Sequence, residues 1–401
     1  MPRPRVLVFS TISPTPVNRG DRLRLAQHLR HLASFAEVRL VYLERGWDPS
    51  DGGLGLPPEI DIQTVPIERH AVIREAARCL LLRKPSIVYR FHTRTVQAEM
   101  RRHFEEFRPD IFWAFQIDAF PLYPFARDCR RVIDLVDSMS LHYQLIKGQP
   151  KLPWRTRLAL ATQPRLRDAE RLAWEQSDVM LVSSLANRRH LTGIFGTGDK
   201  LQTLFNSVAP EYLAGSWRMG DARTGKLLFV GLLQYPPNEI GVRYFATHIL
   251  PEVRKRLPYA ELCICGKGSE IIQDLAELPG VRIMGFVPDL VKAYEEADVF
   301  VNPIPYASGI QNKLIEAMAV GTPCVVSRPS LDANGVTDGI QVLSADTPQE
   351  WAAHIERLVT DDALSGQLSS QGRKFIDQSF TPAQQREAIE RLILGDVVNQ
   401  T

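Results

Sequence analysis

The 401-residue chain is short of most features that settle a protein's class at once. It has no apolar run near the roughly 20 residues that a membrane-spanning helix needs. Its start, MPRPRVLVFS, is a brief basic lead into an apolar stretch, without the small-residue cleavage site of a secretory signal. Its five cysteines (79, 129, 263, 265 and 324) are odd in number, scattered and free of CxxC spacing. That excludes a disulfide framework or a zinc site and points to reduced thiols in a cytoplasm. No Walker loop and no six-position GxGxxG fingerprint occurs, and there is no short-period repeat or low-complexity tract. The six tryptophans are dispersed and form no stacking platform for nucleic acid. No His/Cys cluster and no DxD-like pair at a strand end is present, so no metal site is expected and activity should survive chelation.

What is there is ordinary in bulk and uneven in distribution. The apolar and charged fractions, 44% and 23%, are those of a soluble globular protein, and the length suggests two domains. The net charge of +2 hides an asymmetry. Residues 1–200 carry 31 Lys/Arg against 22 Asp/Glu, a net of +9, and residues 201–401 carry 17 against 24, a net of −7. A basic half suits an anionic partner. The stretch 147–176, basic with Trp154 and interspersed leucines, could lie on an anionic membrane surface or be an ordinary exposed helix.

Short apolar segments alternate with amphipathic ones along the whole chain. Strands are expected at 5–10, 38–43, 62–67, 111–116, 131–138, 179–184 and 201–205, then at 226–233, 260–268, 281–287, 299–305, 322–327 and 340–343. Such β-α repetition predicts an α/β fold with mostly parallel sheets covered by helices on both faces. The loops at 209–225 mark the boundary, giving domains at 1–208 and 209–378 and a terminal helix from 379 to 401. Ligands of such sheets bind outside the carboxyl ends of the strands. His28 and His31, on an Arg-rich helix, read as surface or core-edge residues.

Several strands of the second half end in glycine: Gly231, Gly266 and Gly285, with Lys267 and Gly268 following Gly266. Glycine allows close approach of backbone to a ligand. The stretch SGIQNKLIEAMAVGTPCVVS (308–327) then holds one charge, Glu316, among apolar and small residues, where a carboxylate is costly unless something satisfies it. Ser308 reads as the N-cap of a helix, which would leave the N–H groups of Gly309, Ile310 and Gln311 as an anion site. Asn312 and Lys313, at i−4 and i−3, share a helical face with Glu316. A nucleoside diphosphate fits that order, with pyrophosphate at the tip and ribose on the carboxylate. The alternative is that Glu316 pairs with a basic neighbour and binds nothing.

The segments FVGLLQYPPNEIGVRYF, LCICGKGSE, VRIMGFVPDL and ADVFVNPIPYASGIQNKLIEAMAVGTPCVVS, in this order and spacing, resemble glycosyltransferase family 4. The likeness is closest in flavour to bacterial sugar transferases of exopolysaccharide clusters. It is specific over 226–330 and thinner over 1–150, where PVNRGDRLR (16–24) and VIDLVDS (132–138) match. The resemblance implies the GT-B fold, two Rossmann-like domains facing across a cleft, and sugar transfer with retention and without metal or other cofactor. It implies a UDP- or GDP-sugar as donor and a glycan or lipid-phosphate-linked acceptor. By position it implies that Glu316 holds the ribose hydroxyls and that the loop at Gly20 closes over the donor phosphates. Asp137 would face the sugar, and Phe286 and Val287 would meet the base.

Three positions depart from that pattern. Ser308 stands where a second glutamate is usual, Leu232 where an arginine is, and Asn238 where a lysine is. A departing nucleoside diphosphate calls for a preorganised cation. Lys313 is the first candidate, followed by Lys267, Arg243, Arg19 and Arg24. The departures also keep open a catalytically degenerate GT-B module that binds nucleotide or glycan. A GT-B sugar-nucleotide epimerase is a further alternative, although no carboxylate–histidine set for it is visible.

Overall fold

The structure is a computed structural model that describes residues 3–16, 19–46, 55–147, 165–217 and 224–394. Residues 148–164, more than half of the basic stretch at 147–176, lie outside these residues. Two compact units result. The first comprises residues up to Asn206 together with Arg386 onward, and the second runs from Ser207 to Gln385.

The first unit carries a sheet of seven parallel strands: β1 (Arg5–Ser10), β2 (Glu37–Arg45), β3 (Asp61–Ile67), β4 (Ile111–Phe115), β5 (Arg130–Asp134), β6 (Val179–Val182) and β7 (Leu201–Thr203). Their order is β3-β2-β1-β4-β5-β6-β7. Alternate residues of β1 feed two cores, Leu7 and Phe9 on one face and Val6 and Val8 on the other. A strand buried on both faces reads as a continuous apolar run, which is why VLVF is so legible. The end of the helix Pro382–Leu394 completes the second of these cores with Ile389, Leu392 and Ile393.

The second unit carries six parallel strands: β8 (Lys226–Val230), β9 (Glu261–Cys265), β10 (Val281–Gly285), β11 (Val299–Asn302), β12 (Cys324–Val326) and β13 (Leu343–Ser344). The order is β10-β9-β8-β11-β12-β13. In each unit the first strand is central and the chain reverses its direction of travel beside it, between β1 and β4 and between β8 and β11. Those are the switch points outside which doubly wound sheets bind ligands. The helix expected after β8 is Pro236–Tyr244, a π turn at Phe245–Ile249 and Leu250–Arg256. Pro251 explains the irregular turn, since its ring cannot donate to the helical ladder and crowds the preceding turn.

A strand forms near each of the thirteen expected places, although the last, Leu343–Ser344, shares only Leu343 with the expected 340–343; two further differences are instructive. The strand expected to reach residue 138 stops at Asp134. The Asp134 Oδ1 accepts the Val136 N–H at 3.0 Å, and Val136 takes φ 63°, a left-handed conformation that a β-branched residue resists. The helix expected from residue 309 begins at Asn312, with Gln311 at its N-cap position. Gln311 N–H donates instead to the Asn334 Oδ1 at 3.1 Å, and the chain before it stays non-helical.

Candidate functional site

The carboxyl edge of the second sheet is built on glycine. Gly231 N–H donates to the Cys265 carbonyl at 3.0 Å, and Gly266 N–H to the Gly285 carbonyl at 2.7 Å, so the ends of β8, β9 and β10 lie side by side. A Cβ on Gly266, at φ 149°, would lie 1.8 Å from the Gly231 carbonyl oxygen. No other residue fits there. Lys267 and Phe286 are exposed on this edge, with the ammonium 5.0 Å from the ring centroid, and Val287 is half-buried beside them.

Gly231 has a second consequence. A Cβ there would fall 2.8 Å from the Asn238 Nδ2, so the absence of a side chain is what lets Asn238 pack against the strand end. Asn238 is buried and donates to the Leu232 carbonyl at 2.8 Å. That bond fixes its amide with the oxygen outward, and Lys313 Nζ donates to this oxygen at 2.6 Å. The ammonium also lies 4.4 Å from the centroid of the Phe229 ring. Lys313 thus reaches from its helix to the end of β8, beside Asn238, the position where the family pattern has a lysine. Leu232 remains exposed and uncharged.

Within the helix Asn312–Val320 the side chains divide cleanly. Leu314, Ile315, Ala317 and Met318 are buried, while Asn312, Lys313 and Glu316 face partly outward. Among the described residues Glu316 pairs with no base. Its Oε2 accepts from the Tyr294 hydroxyl at 3.2 Å, and Tyr294 packs edge-on against Tyr212 with centroids 6.0 Å apart. One neutral donor leaves most of a carboxylate's acceptor capacity unused. Burial pushes the Glu316 carboxyl up to about 7 and the Lys313 ammonium down to about 7. Each is drawn towards its neutral form for want of a full partner.

Two expectations about the helix tip need correction. Ser308 is buried and lies three residues before the N-cap position, so it does not cap. Gly309 and Ile310 are half-buried in non-helical chain, and the Gln311 N–H belongs to Asn334. Asn334 and the two tyrosines escaped the sequence reading. The signal for Tyr294 was its place in the apolar phase of LVKAYE, where a hydroxyl needs a partner.

In the first unit, Asp137 lies three residues beyond β5 and is half-buried. Its Oδ1 accepts from the Ser183 hydroxyl and the Asn187 Nδ2, each at 2.8 Å, and burial pushes its carboxyl up. Gly20 is the exposed first residue of the helix Gly20–Phe35, and Arg19 before it pairs with Asp21 at 2.9 Å. Two readings of that helix are overturned. Arg24, a candidate cation for the leaving group, and His28, expected at the surface or core edge, are both buried. Arg24 Nε donates to Asp134 Oδ2 at 2.8 Å, and its Nη1 donates to the Asn206 Oδ1 at 3.0 Å. His28 Nδ1 lies 3.2 Å from the same carboxylate. Burial alone would raise Asp134, but Arg24 and then His28 hold it at about 2, while burial and then Arg24 lower His28 to about 4. In the second unit, Arg243 is engaged by Glu239 at 3.0 Å and Asp274 at 2.6 Å. Among the described residues there is no group of three metal-ligating side chains, and no helix long and apolar enough to cross a membrane.

Residues 224–361 match the family described as glycosyl transferases group 1. An uncharacterized glycosyltransferase of Methanocaldococcus jannaschii is 34% identical over 179 residues, covering 39% of this chain and 44% of that protein. The match thus spans less than half the length of that curated relative. Across nearly the full length, the fold is that of sucrose-phosphate synthase from Thermosynechococcus elongatus, with TM-score 0.70, 16% identity and 99% of each chain covered. It is also that of Anabaena HepE in complex with UDP-glucose, with TM-score 0.65, 13% identity and 98% and 100% covered. Residues 224–361 thus resemble the glycosyl transferases group 1, in a chain whose two parallel-sheet units have the fold of the GT-B glycosyltransferases.

Proposed function

We propose that the chain is a retaining glycosyltransferase that moves a sugar from a nucleotide sugar onto a glycan or lipid-linked acceptor in cell-surface polysaccharide synthesis. One observation carries this reading. An ammonium, Lys313, reaches the glycine-built edge of the sheet and a carboxylate, Glu316, follows it on the same helix, and among the described residues neither has an ion-pair partner. A nucleoside diphosphate supplies what each lacks. Its ribose hydroxyls donate to Glu316, with charge-assisted strength. Its phosphates accept from Lys313, which Asn238 holds ready at the end of β8. The chemistry places most charge on the leaving group. As the bond from the sugar's anomeric carbon to the phosphate oxygen breaks, negative charge grows on the diphosphate, and a fixed cation stabilises it in the transition state. The acceptor oxygen forms the new bond to the anomeric carbon, and its proton passes to the departing phosphate oxygen.

The UDP-glucose complex of the similar HepE fold supports a UDP-sugar as the first donor to try. The test is a thermal-shift series with UDP-, GDP- and ADP-sugars, followed by release of nucleoside diphosphate with and without acceptor. A bound nucleotide stabilises the native state by mass action. Binding with turnover supports a transferase, binding without turnover favours the degenerate module, and no binding removes the reading.

A further inference from the structure

In the first unit, the helix Arg69–Leu81 has two apolar faces and a use for only one. Its inner face turns the buried Cys79 and the half-buried Val72 towards the core. Ile73, Leu80, Leu81 and Leu82, by contrast, are 60%, 58%, 82% and 50% exposed. With Ala77, the first three recur at i, i+4, i+7 and i+8 and so form one outward stripe. Exposed leucines scattered singly mean little, but a contiguous stripe rimmed by polar groups marks an interaction surface.

The rim is basic. Arg69, Arg74, Arg78, Arg83 and Lys84 are all exposed around the stripe. The acidic neighbours are Glu68, 2.9 Å from His70, and Glu75, 3.7 Å from Arg78. Charge complementarity decides between occupants. A second copy of the chain would bring five cations against five across an isologous contact. An anionic bilayer surface instead offers phosphates to the rim and acyl chains to the stripe, as amphipathic interfacial helices require.

We propose that the helix Arg69–Leu81, with Leu82 to Lys84 after it, docks the first unit on an anionic lipid bilayer. Ile73 and the three leucines enter the headgroup boundary while the arginines meet lipid phosphates. This element is a different segment of the sequence from the basic stretch at 147–176, and it stands independently of any donor at Glu316. The test is co-sedimentation of the full chain with vesicles of phosphatidylcholine, with and without phosphatidylglycerol. Anionic vesicles should bind the protein and added salt should release it. The double variant Leu80→Ser/Leu81→Ser should lower the partition coefficient about tenfold or more. Arg74→Gln/Arg78→Gln should lower it about fivefold per charge at low salt. Both variants alter exposed side chains, so circular dichroism and nucleotide-induced thermal shifts should be unchanged. Equal binding to neutral vesicles, absence of binding, or insensitivity to the leucine pair would overturn the proposal. So would sedimentation velocity in which the leucine variant dissociates a dimer, which would assign the stripe to a second copy.

Discussion

Each unit places a carboxylate and a cation under the carboxyl edge of its sheet, and the two pairs are finished differently. In the first, Asp134 and Arg24 are completely buried, 2.8 Å apart, and further bonded to Val136 and Asn206, with His28 Nδ1 3.2 Å from the carboxylate. In the second, Glu316 and Lys313 are half-buried and do not bond to each other; a tyrosine hydroxyl and an asparagine oxygen serve them instead. Their titration follows suit. The first carboxylate is held down to about 2, and the second is pushed up to about 7. A charge sealed against an opposite charge is structural scaffolding, whereas charges kept from one another and open to solvent retain capacity for a ligand. Perturbed groups of the second kind cluster at functional sites.

The largest expected effect lies in the sealed pair. Arg24→Met leaves Asp134 buried without its cation, and should cost about 3–5 kcal/mol in denaturant unfolding of the first unit. Adding Asp134→Asn should recover much of that loss, because the double variant buries no charge. If Arg24→Met is silent in stability but lowers turnover, the division of roles is wrong.

Lys313→Met should do the reverse. It keeps the stem and deletes the charge, so the fold should hold while kcat falls about 100-fold, the range for one preorganised stabiliser. A rise in donor KM with kcat intact would instead limit Lys313 to ground-state binding. The pH profile sharpens the same point with a smaller effect. Donor binding needs Glu316 deprotonated and Lys313 protonated. The first pKa is raised and the second lowered, so kcat/KM should fall on both sides of neutrality. Ordinary carboxylate and lysine values would place the limbs near about 4.3 and 10.4. In Lys313→Met the alkaline limb should vanish, and a wild-type plateau from pH 5 to 9 would contradict the assignment.

Much of this was legible in the sequence, for identifiable reasons. The strands announce themselves because a doubly covered parallel sheet demands unbroken apolar runs, as in VLVF and LLFV. Glu316 stands out because one carboxylate among apolar neighbours violates a strong rule. What was hidden depends on distant partners. Arg24 and His28 look like solvated charges on an Arg-rich helix until Asp134, 110 residues on from Arg24, arrives beneath them. The start at Ser308-Gly309 has good capping chemistry, and loses to an amide at Asn334, 23 residues after Gln311. The reach of Lys313 to Asn238 spans 75 residues and depends on Gly231 having no side chain. Local pattern reports elements well, and long-range hydrogen bonds decide which charges remain available.

The most direct measurement is calorimetric titration of UDP and of GDP into the wild-type protein and into Glu316→Ala. The account predicts that at least one of the two binds, and that its affinity falls about 10- to 150-fold in the variant, the equivalent of about 1.5–3 kcal/mol for hydrogen bonds to a charged acceptor. The melting temperature should be little changed, since among the described residues Glu316 has only the Tyr294 hydroxyl to lose. Equal affinity in both proteins, or no binding of either nucleotide, would contradict it.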